Sequence, residues 1–404
     1  MTPLRIALAN WTARVAGGAE SYLRDLVPAL RTRGHDLALW VERDVPENRP
    51  AIATGVPVWR ADRSPDGALA ELRAWKPDLV FVHGIEHDPF EAALLDVAPA
   101  VCFVHTYRGT CISGEKAFKL PTRRPCDRTF GPACLALFYP RRCGGLNPAT
   151  MVRDYAKQRA RGARMHRYAR LVTASGHMRD ECLRHGVPPG RVVVLPVPPP
   201  DAPLAPGTSA RPESGPPHRL VWAGRMEPIK GGDLCLAAAS EAARRLDRPL
   251  TLTLLGDGRA RTQWEARARA LGAEGAALSA EFRGWSGEDE VDRVFADADL
   301  LVLSSVWPEP FGRVGLEAGR HGVPVAAFSV GGIPEWLTDG VNGRLAPGNP
   351  PTVEGLANAM VGCLRDPAEH QRLCAGARAA ARRWTFQDHA ASLERLFRDV
   401  IAHG

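Results

Sequence analysis

Residues 304–327 read SSVWPEPFGRVGLEAGRHGVPVAA and continue the apolar run LLVLSS into a polar loop and then a helix-like segment. Pro310 and Gly312 interrupt any continuous helix between Glu309 and Glu317, so the two carboxylates are not an i,i+4 pair. Open parallel sheets bind ligands outside the carboxyl ends of their strands. Two acceptor groups beside a helix N-terminus suit a ligand that has many hydroxyls and also carries negative charge.

Strand-like and helix-like segments alternate on both sides of this stretch. One series begins with LRIALAN near the N-terminus, and a second begins with RLVWAG at residue 219. Such alternation predicts α/β architecture, with a parallel sheet and helices on both faces in each half of the chain.

A segment rich in proline separates the two series and is typical of a linker (PVPPPDAPLAPGTSARPESGPPHR, 196–219). We therefore predict an N-terminal domain, a linker, a second domain and a C-terminal helix, at 1–200, 201–218, 219–384 and 385–404. Two such domains enclose a cleft, and large ligands often bind at domain interfaces.

The composition limits the classes of partner. The chain has 404 residues and a net charge of +7, which favours anionic ligands such as nucleotides and phosphates. Its basic residues are spread out and not interleaved with aromatics, so nucleic-acid binding is not expected. It contains no apolar run of membrane-spanning length and no visible signal peptide. Nine cysteines in such a chain predict reduced thiols in the cytoplasm.

Two further strand-to-helix turns carry residues suited to phosphate. Gly17 and Gly18 precede a helix, where free N–H groups can meet an anion, although an ordinary turn explains them equally well. Arg225 and Lys230, in WAGRMEPIKGG, supply the two positive charges that a diphosphate needs. Taken alone, the two residues would be interpreted as solvated surface cations. Together with the two carboxylates, however, they make this predicted sheet edge rich in polar groups, which favours a ligand site.

Other candidates have structural explanations. His83 and His105 each end a strand-like run, where histidines are more often structural than catalytic. Asp297 and Asp299 form the Asp-x-Asp pattern that can hold a divalent metal, but they precede a strand, at the wrong end of the sheet for this site.

Six segments together resemble the family 4 glycosyltransferases of GT-B architecture, from about residue 5 to the C-terminus: AGGAE, FVHTY, GRMEPIKGG, GWSGEDEV, EPFGRVGLEA and GVPVAAFSVGGIPEWLTDGVNGRL. The resemblance implies two Rossmann-like domains facing each other across a cleft, with the C-terminal helix folded back onto the first. It also implies transfer of a sugar from a nucleotide-sugar to a hydroxylated acceptor, with retention of configuration and without a metal cofactor. We expect a UDP-sugar donor.

The same resemblance assigns roles to individual residues. Glu317 would bind the ribose hydroxyls and Glu309 would lie beside the donor sugar, while Arg225 and Lys230 neutralise the leaving diphosphate. His105 would face the reacting sugar. The remaining donor-binding positions are Gly18, Gly284, Trp285, Phe311, Gly312 and Arg313. A nucleotide-sugar epimerase and a non-catalytic nucleotide-sugar-binding protein are the two alternatives.

Two features depart from this pattern or lie outside it. An insert at about 107–147 holds Cys111, Cys126, Cys134 and Cys143, for which we predict a structural zinc site. Disulfides and ordinary buried thiols are the alternatives. Residues 151–170 are strongly basic, which suggests a weak peripheral contact with an anionic membrane, although a solvated helix is the preferred interpretation.

Overall fold

The computed structural model describes residues 2–43, 49–201 and 218–403. Its strands are β1 (Arg5–Asn10), β2 (Asp36–Val41), β3 (Val58–Arg60), β4 (Leu79–Val82), β5 (Ala100–Phe103), β6 (Ala117–Phe118), β7 (Arg124–Pro125), β8 (Arg170–Thr173), β9 (Val192–Val194), β10 (Arg219–Ala223), β11 (Leu250–Leu255), β12 (Leu278–Gly284), β13 (Leu300–Leu303), β14 (Val325–Ser329) and β15 (Gly343–Pro347).

The α-helices lie between most of the strands, and three of them follow β15. The helices are α1 (Gly18–Thr32), α2 (Pro65–Trp75), α3 (Asp88–Leu94), α4 (Ala133–Leu137), α5 (Pro148–Met165), α6 (Gly176–Arg184), α7 (Gly232–Leu246), α8 (Arg261–Ala273), α9 (Glu288–Asp297), α10 (Val314–Arg320), α11 (Val353–Leu364), α12 (Pro367–Ala381) and α13 (Phe386–His403).

The first sheet has the strand order β3-β2-β1-β4-β5-β8-β9, and its strands pair in parallel. Its central strands are nearly continuous runs of buried residues, such as LVFV in β4, because helices cover both faces of a parallel sheet. The order reverses direction beside β1, so the carboxyl ends of β1 and β4 form the topological switch point where such sheets bind ligands.

The second sheet has the order β12-β11-β10-β13-β14-β15, and its strands are also parallel. Its switch point lies between β10 and β13. The prediction of two α/β domains with parallel sheets is confirmed. The loops that follow β10 and β13 carry the candidate cations and carboxylates, and the pairing of these two strands places the loops side by side.

The chain divides into two compact units. The first contains residues 1–115, 128–197 and 385–404, and the second contains residues 116–127 and 198–384. The short hairpin of β6 and β7 therefore belongs to the second unit, which sequence reasoning did not anticipate when it assigned the whole insert to the first domain. The predicted linker at 201–218 lies almost entirely outside the described residues.

The C-terminal helix α13 packs within the first unit, against α1. The hydroxyl of Tyr22 lies 2.7 Å from Nε2 of His389, and Arg33 forms an ion pair of 2.6 Å with the buried carboxylate of Glu394. Phe397 and Phe81 pack edge to face, with ring centroids 5.1 Å apart. Aromatic burial and these polar contacts together hold the end of the chain on the first unit.

Candidate active site

A buried ion pair joins the loops that follow β10 and β13. Nζ of Lys230 lies 2.5 Å from Oε1 of Glu309, and Glu309 is only 8% exposed. The hydroxyl of Ser305 donates a hydrogen bond to the same carboxylate oxygen. Lys230 also lies 5.0 Å from the centre of the Trp307 ring, within range of a cation–π interaction. The site thus holds a partly exposed cation, with 21% of the Lys230 side chain accessible, against a buried carboxylate.

The charge state of Glu309 follows from these contacts. Burial by itself would raise the pKa of the carboxyl, but the charge of Lys230 and the hydrogen bonds from Lys230 and Ser305 outweigh it and lower the pKa. Glu309 is therefore ionised at neutral pH. An ionised carboxylate accepts hydrogen bonds from sugar hydroxyls but has no proton to donate as a general acid.

Backbone packing fixes the turn that carries Lys230. Gly231 has φ +65°, and a Cβ there would overlap the carbonyl oxygen of Ser304, so only glycine permits this approach. Ser304 donates from Oγ to the Lys230 carbonyl over 2.9 Å, and the Val306 amide donates to Ile229 over 2.9 Å. The turn is thereby tied to the end of β13.

The loop after β14 supports the Glu309 loop from the other side. Gly331 has φ +59°, and its α-carbon packs directly on the backbone of Glu309. The Gly332 amide donates to the Glu309 carbonyl over 2.7 Å, and the Trp336 indole donates to the Phe311 carbonyl over 2.6 Å. These contacts tie the GGIPEW segment to the EPFGRVGLE segment.

Arg313 and Glu317 stand at the start of α10. Nε of Arg313 lies 3.3 Å from Oε1 of Glu317 and donates to the Pro198 carbonyl over 2.9 Å. Gly312, with φ +84°, turns the chain from the loop into this helix. Phe311 is buried, so any contact that it makes with a ligand would come from its backbone.

The remaining candidates in the second unit lie on neighbouring strand ends. Arg225 is exposed, just beyond β10, and Gly284 ends β12 with φ +75°. The Gly256 amide at the end of β11 donates to the Gly284 carbonyl over 2.6 Å, which links the carboxyl ends of β11 and β12. Trp285 follows and is 41% exposed. The candidate residues of this unit therefore share one edge of one sheet.

In the first unit, His105 follows β5 and Gly18 begins α1. A Cβ on Gly18 would meet no atom within 4 Å, so the space beside its α-carbon is open. Nε2 of His105 lies 3.0 Å from Nδ1 of His83, whose residue is 7% exposed. Burial lowers the pKa of His105 to about 3, so the imidazole is neutral at physiological pH. It can act there as a neutral hydrogen-bonding group.

A pH-dependent stability follows from His105. The unfolded side chain takes up a proton near pH 6.5 and the folded one only near pH 3, so the unfolded state binds more protons between these values. The stability from this group is present above pH 6.5 and is lost as the pH falls toward 3. We expect urea unfolding to show that His105→Asn becomes more stable relative to wild type on acidification. A difference independent of pH would contradict this.

The structure gives no support to the predicted zinc site of the four insert cysteines. Cys126 belongs to the second unit, whereas Cys111, Cys134 and Cys143 belong to the first. Among the described residues, no group of three or more His, Cys, Asp or Glu side chains is placed to hold a metal ion, and none of the cysteines forms a disulfide. Zinc binding by these four cysteines therefore stays a prediction.

Asp299 has a structural function. Its Oδ2 accepts hydrogen bonds from the backbone amides of His218 and Arg219, each over 2.7 Å, at the amino end of β10. Asp297 lies at the end of α9, on the same edge. This edge is opposite to the one that carries Lys230 and Glu309, as predicted when the metal interpretation was set aside.

Part of the basic segment at 151–170 is committed to ion pairs within the first unit. Arg161 and Arg164 both pair with Asp88, over 3.1 Å and 2.8 Å, and Arg164 also pairs with Glu91 over 3.0 Å. These arginines face α3, an arrangement that neither sequence-based interpretation included. A weak membrane contact stays a prediction. No helix in the described part of the chain is long and apolar enough to cross a membrane.

Sequence reasoning missed several residues that shape the site. Ser305 and Trp307 contact the ion pair, and Trp336 packs closely on Gly315 and holds the Phe311 carbonyl. These residues lie in the segments SSVWPE and GGIPEW, which were already recognised as part of the site. The contacts that they make join two separate loops, and the sequence of one loop does not predict them.

Comparison with known families is consistent with this geometry. The model of Glycosyltransferase Family 4 matches residues 16–198, and the model of Glycosyl transferases group 1 matches residues 217–366. Each model corresponds to one of the two sheets, and together they span most of the chain.

Similar proteins include enzymes that act on sugars. The chain is 34% identical over 173 residues to a D-inositol 3-phosphate glycosyltransferase of Frankia alni, with 41% of this chain and 42% of that protein covered. It is 34% identical over 218 residues to glycogen synthase of Mycobacterium tuberculosis, covering 53% and 49%. The chain thus spans about half the length of the curated relatives it matches.

The fold itself matches over its full length. The structure of Anabaena HepE in complex with UDP-glucose superposes with a TM-score of 0.68 at 18% identity, covering 98% of this chain and 100% of that one. Sucrose-phosphate synthase from Thermosynechococcus elongatus gives 0.69 at 18% identity, covering 99% and 100%. At such identities the likeness establishes the fold, which is GT-B.

Proposed function

Because the chain belongs to the family 4 glycosyltransferases, we propose that it transfers a sugar from a nucleoside-diphosphate sugar to a hydroxyl group with retention of configuration. The observation that carries the proposal is the Lys230–Glu309 pair at the carboxyl edge of the second sheet. A cation held here meets the charge that grows on a leaving diphosphate, and the carboxylate accepts hydrogen bonds from the donor sugar.

The reaction we propose needs no side chain as a general base. The bond between the anomeric carbon and the diphosphate oxygen breaks, and the acceptor oxygen bonds to the same face of that carbon. The acceptor's proton passes to a phosphate oxygen of the leaving group. Lys230 and Arg225 stabilise the departing diphosphate, while neutral His105 offers a hydrogen bond to the reacting sugar. No step calls for a metal, so we expect activity to persist in EDTA.

We propose a UDP-sugar as donor and a small sugar, a natural product or a glycan as acceptor, in the cytoplasm. The HepE structure contains UDP-glucose, which supports this choice of base. Thermal unfolding with added nucleotides tests it, since a ligand at 100 times its Kd adds about 2.7 kcal/mol of stability. UDP should raise the Tm, and GDP is the next nucleotide to test because GDP-sugars are the next candidate donors. If neither UDP nor GDP stabilises the protein, the donor assignment is refuted.

Glu317 should act on donor affinity. Ribose contacts are similar before and during reaction, so we expect Glu317→Ala to weaken binding of the nucleoside diphosphate about tenfold, with kcat at saturating donor little changed. Calorimetric titration and steady-state kinetics measure the two effects. Glu354→Ala is a matched control, because Glu354 is also an acid in the first turn of a helix in the second unit. Equal affinities for the two variants would contradict the role of Glu317.

A further inference from the structure

The hairpin at residues 116–127 is an unusual part of the second unit. Strands β6 and β7 pair antiparallel, with Ala117 opposite Pro125 and Phe118 opposite Arg124. Ala117 and Phe118 are buried. The chain on both sides of this hairpin belongs to the first unit. The insert thus carries a short element that folds with the domain proposed to bind the donor.

Arg123, in the turn of this hairpin, makes three hydrogen bonds to one small region. Its Nη1 donates to Oδ1 of Asp233 over 2.9 Å, and its Nη2 donates to Oδ2 of the same carboxylate. Nη1 also lies 3.4 Å from the Pro228 carbonyl. A guanidinium that binds a carboxylate through two parallel bonds fixes direction as well as distance.

The groups that Arg123 contacts lie on both sides of Lys230. Residues Pro228–Lys230 form one turn of 3-10 helix, and Asp233 lies in the first turn of α7. Gly231, between them, is the residue whose close approach to Ser304 places the turn. Arg123 therefore bridges the start of the Lys230 turn and the helix that follows it.

We propose that Arg123 is a positioning residue, which acts through the turn at 228–233 to hold the Lys230 ammonium against the donor diphosphate. This inference rests on the proposed transferase function. Surface ion pairs of this exposure, about 29% and 28%, contribute little to global stability. Catalysis is more sensitive than stability to the placement of a charged group, because a displacement of about 1 Å can lower the rate 100-fold.

The test combines kinetics with amide hydrogen exchange in the full chain. We expect Arg123→Ala to lower kcat about tenfold while the Kd for the nucleoside diphosphate stays near that of wild type. Exchange should become about fivefold faster at the amides of Lys230, Gly231 and Cys235, which bond to the carbonyls of Glu227, Pro228 and Gly231. Arg124→Ala is the matched control, because Arg124 stacks on Phe118 within the hairpin, 5.3 Å from its ring centre.

A double-mutant cycle separates the contact from general damage. Once Asp233→Ala is in place, adding Arg123→Ala should change kcat less than twofold, whereas two independent effects would multiply. If Arg123→Ala matches Arg124→Ala in both exchange and kcat, the inference is wrong and the transferase function is unaffected. If wild type transfers no sugar but Arg123→Ala still loosens the turn, the proposed function fails and the positioning contact stands.

Discussion

Lys230→Ala should lower kcat at saturating donor by about 100- to 1,000-fold, the loss typical of removing one charge-stabilising group from an active site. The donor's Kd should change less, about tenfold or below, because the diphosphate charge that Lys230 meets is largest in the transition state. Nζ of Lys230 lies only 2.5 Å from Glu309 in the free protein, so the cation is already in place before a donor binds. Steady-state kinetics and calorimetry measure the two quantities.

The same change affects folding, and a second variant separates the two effects. Without Lys230, the buried carboxylate of Glu309 loses its counter-ion, which destabilises by up to about 3 kcal/mol. Lys230→Ala combined with Glu309→Gln should recover much of that stability, because the amide is neutral, and should leave kcat low. A double variant with near-normal kcat would show that Lys230 acts only on stability.

Gly331→Ala is the second change with a large expected effect. Gly331 has φ +59°, and a Cβ there would lie 2.5 Å from the Glu309 amide nitrogen and nearer still to its carbonyl oxygen. The backbone of Glu309 would have to move, since no flexible side chain can yield instead. We expect a loss of about 3 kcal/mol in the free energy of unfolding and a fall of about 100-fold in kcat.

Gly272→Ala is the control for this prediction. Gly272 lies inside α8, and a Cβ there would meet no atom within 4 Å. Alanine should therefore stabilise this helix by about 0.5 kcal/mol. Urea unfolding of both variants provides the comparison, and equal stabilities would mean that the loop after β14 does not support Glu309.

The sequence allowed much of the fold and the location of the site to be predicted. Strand-to-helix alternation predicted two parallel sheets, which the structure contains, and the loop with Pro310 and Gly312 between LLVLSS and the next helix predicted a ligand edge. These features are local, since they depend on backbone preferences over a few residues. Arg225 and Lys230 were assigned to the edge that carries Glu309 because both follow one strand of the same predicted sheet.

What could not be predicted depends on contacts between distant segments. Glu309 was assigned to sugar hydroxyls alone, yet the structure pairs it with Lys230, 79 residues away in the chain. The contact exists because β10 and β13 are neighbours, and strand order cannot be read from hydrophobic pattern. For the same reason, the contact between Arg123 and Asp233 was not predicted.

The most direct test of the account is proton NMR of the protein incubated with UDP-glucose, or with the α-linked donor that stabilises it most, in the absence of acceptor. The account predicts slow release of UDP together with free sugar that appears first as the α anomer, both strongly reduced in Lys230→Ala. An epimerised nucleotide-sugar without free UDP, or a sugar that appears first as the β anomer, would contradict it.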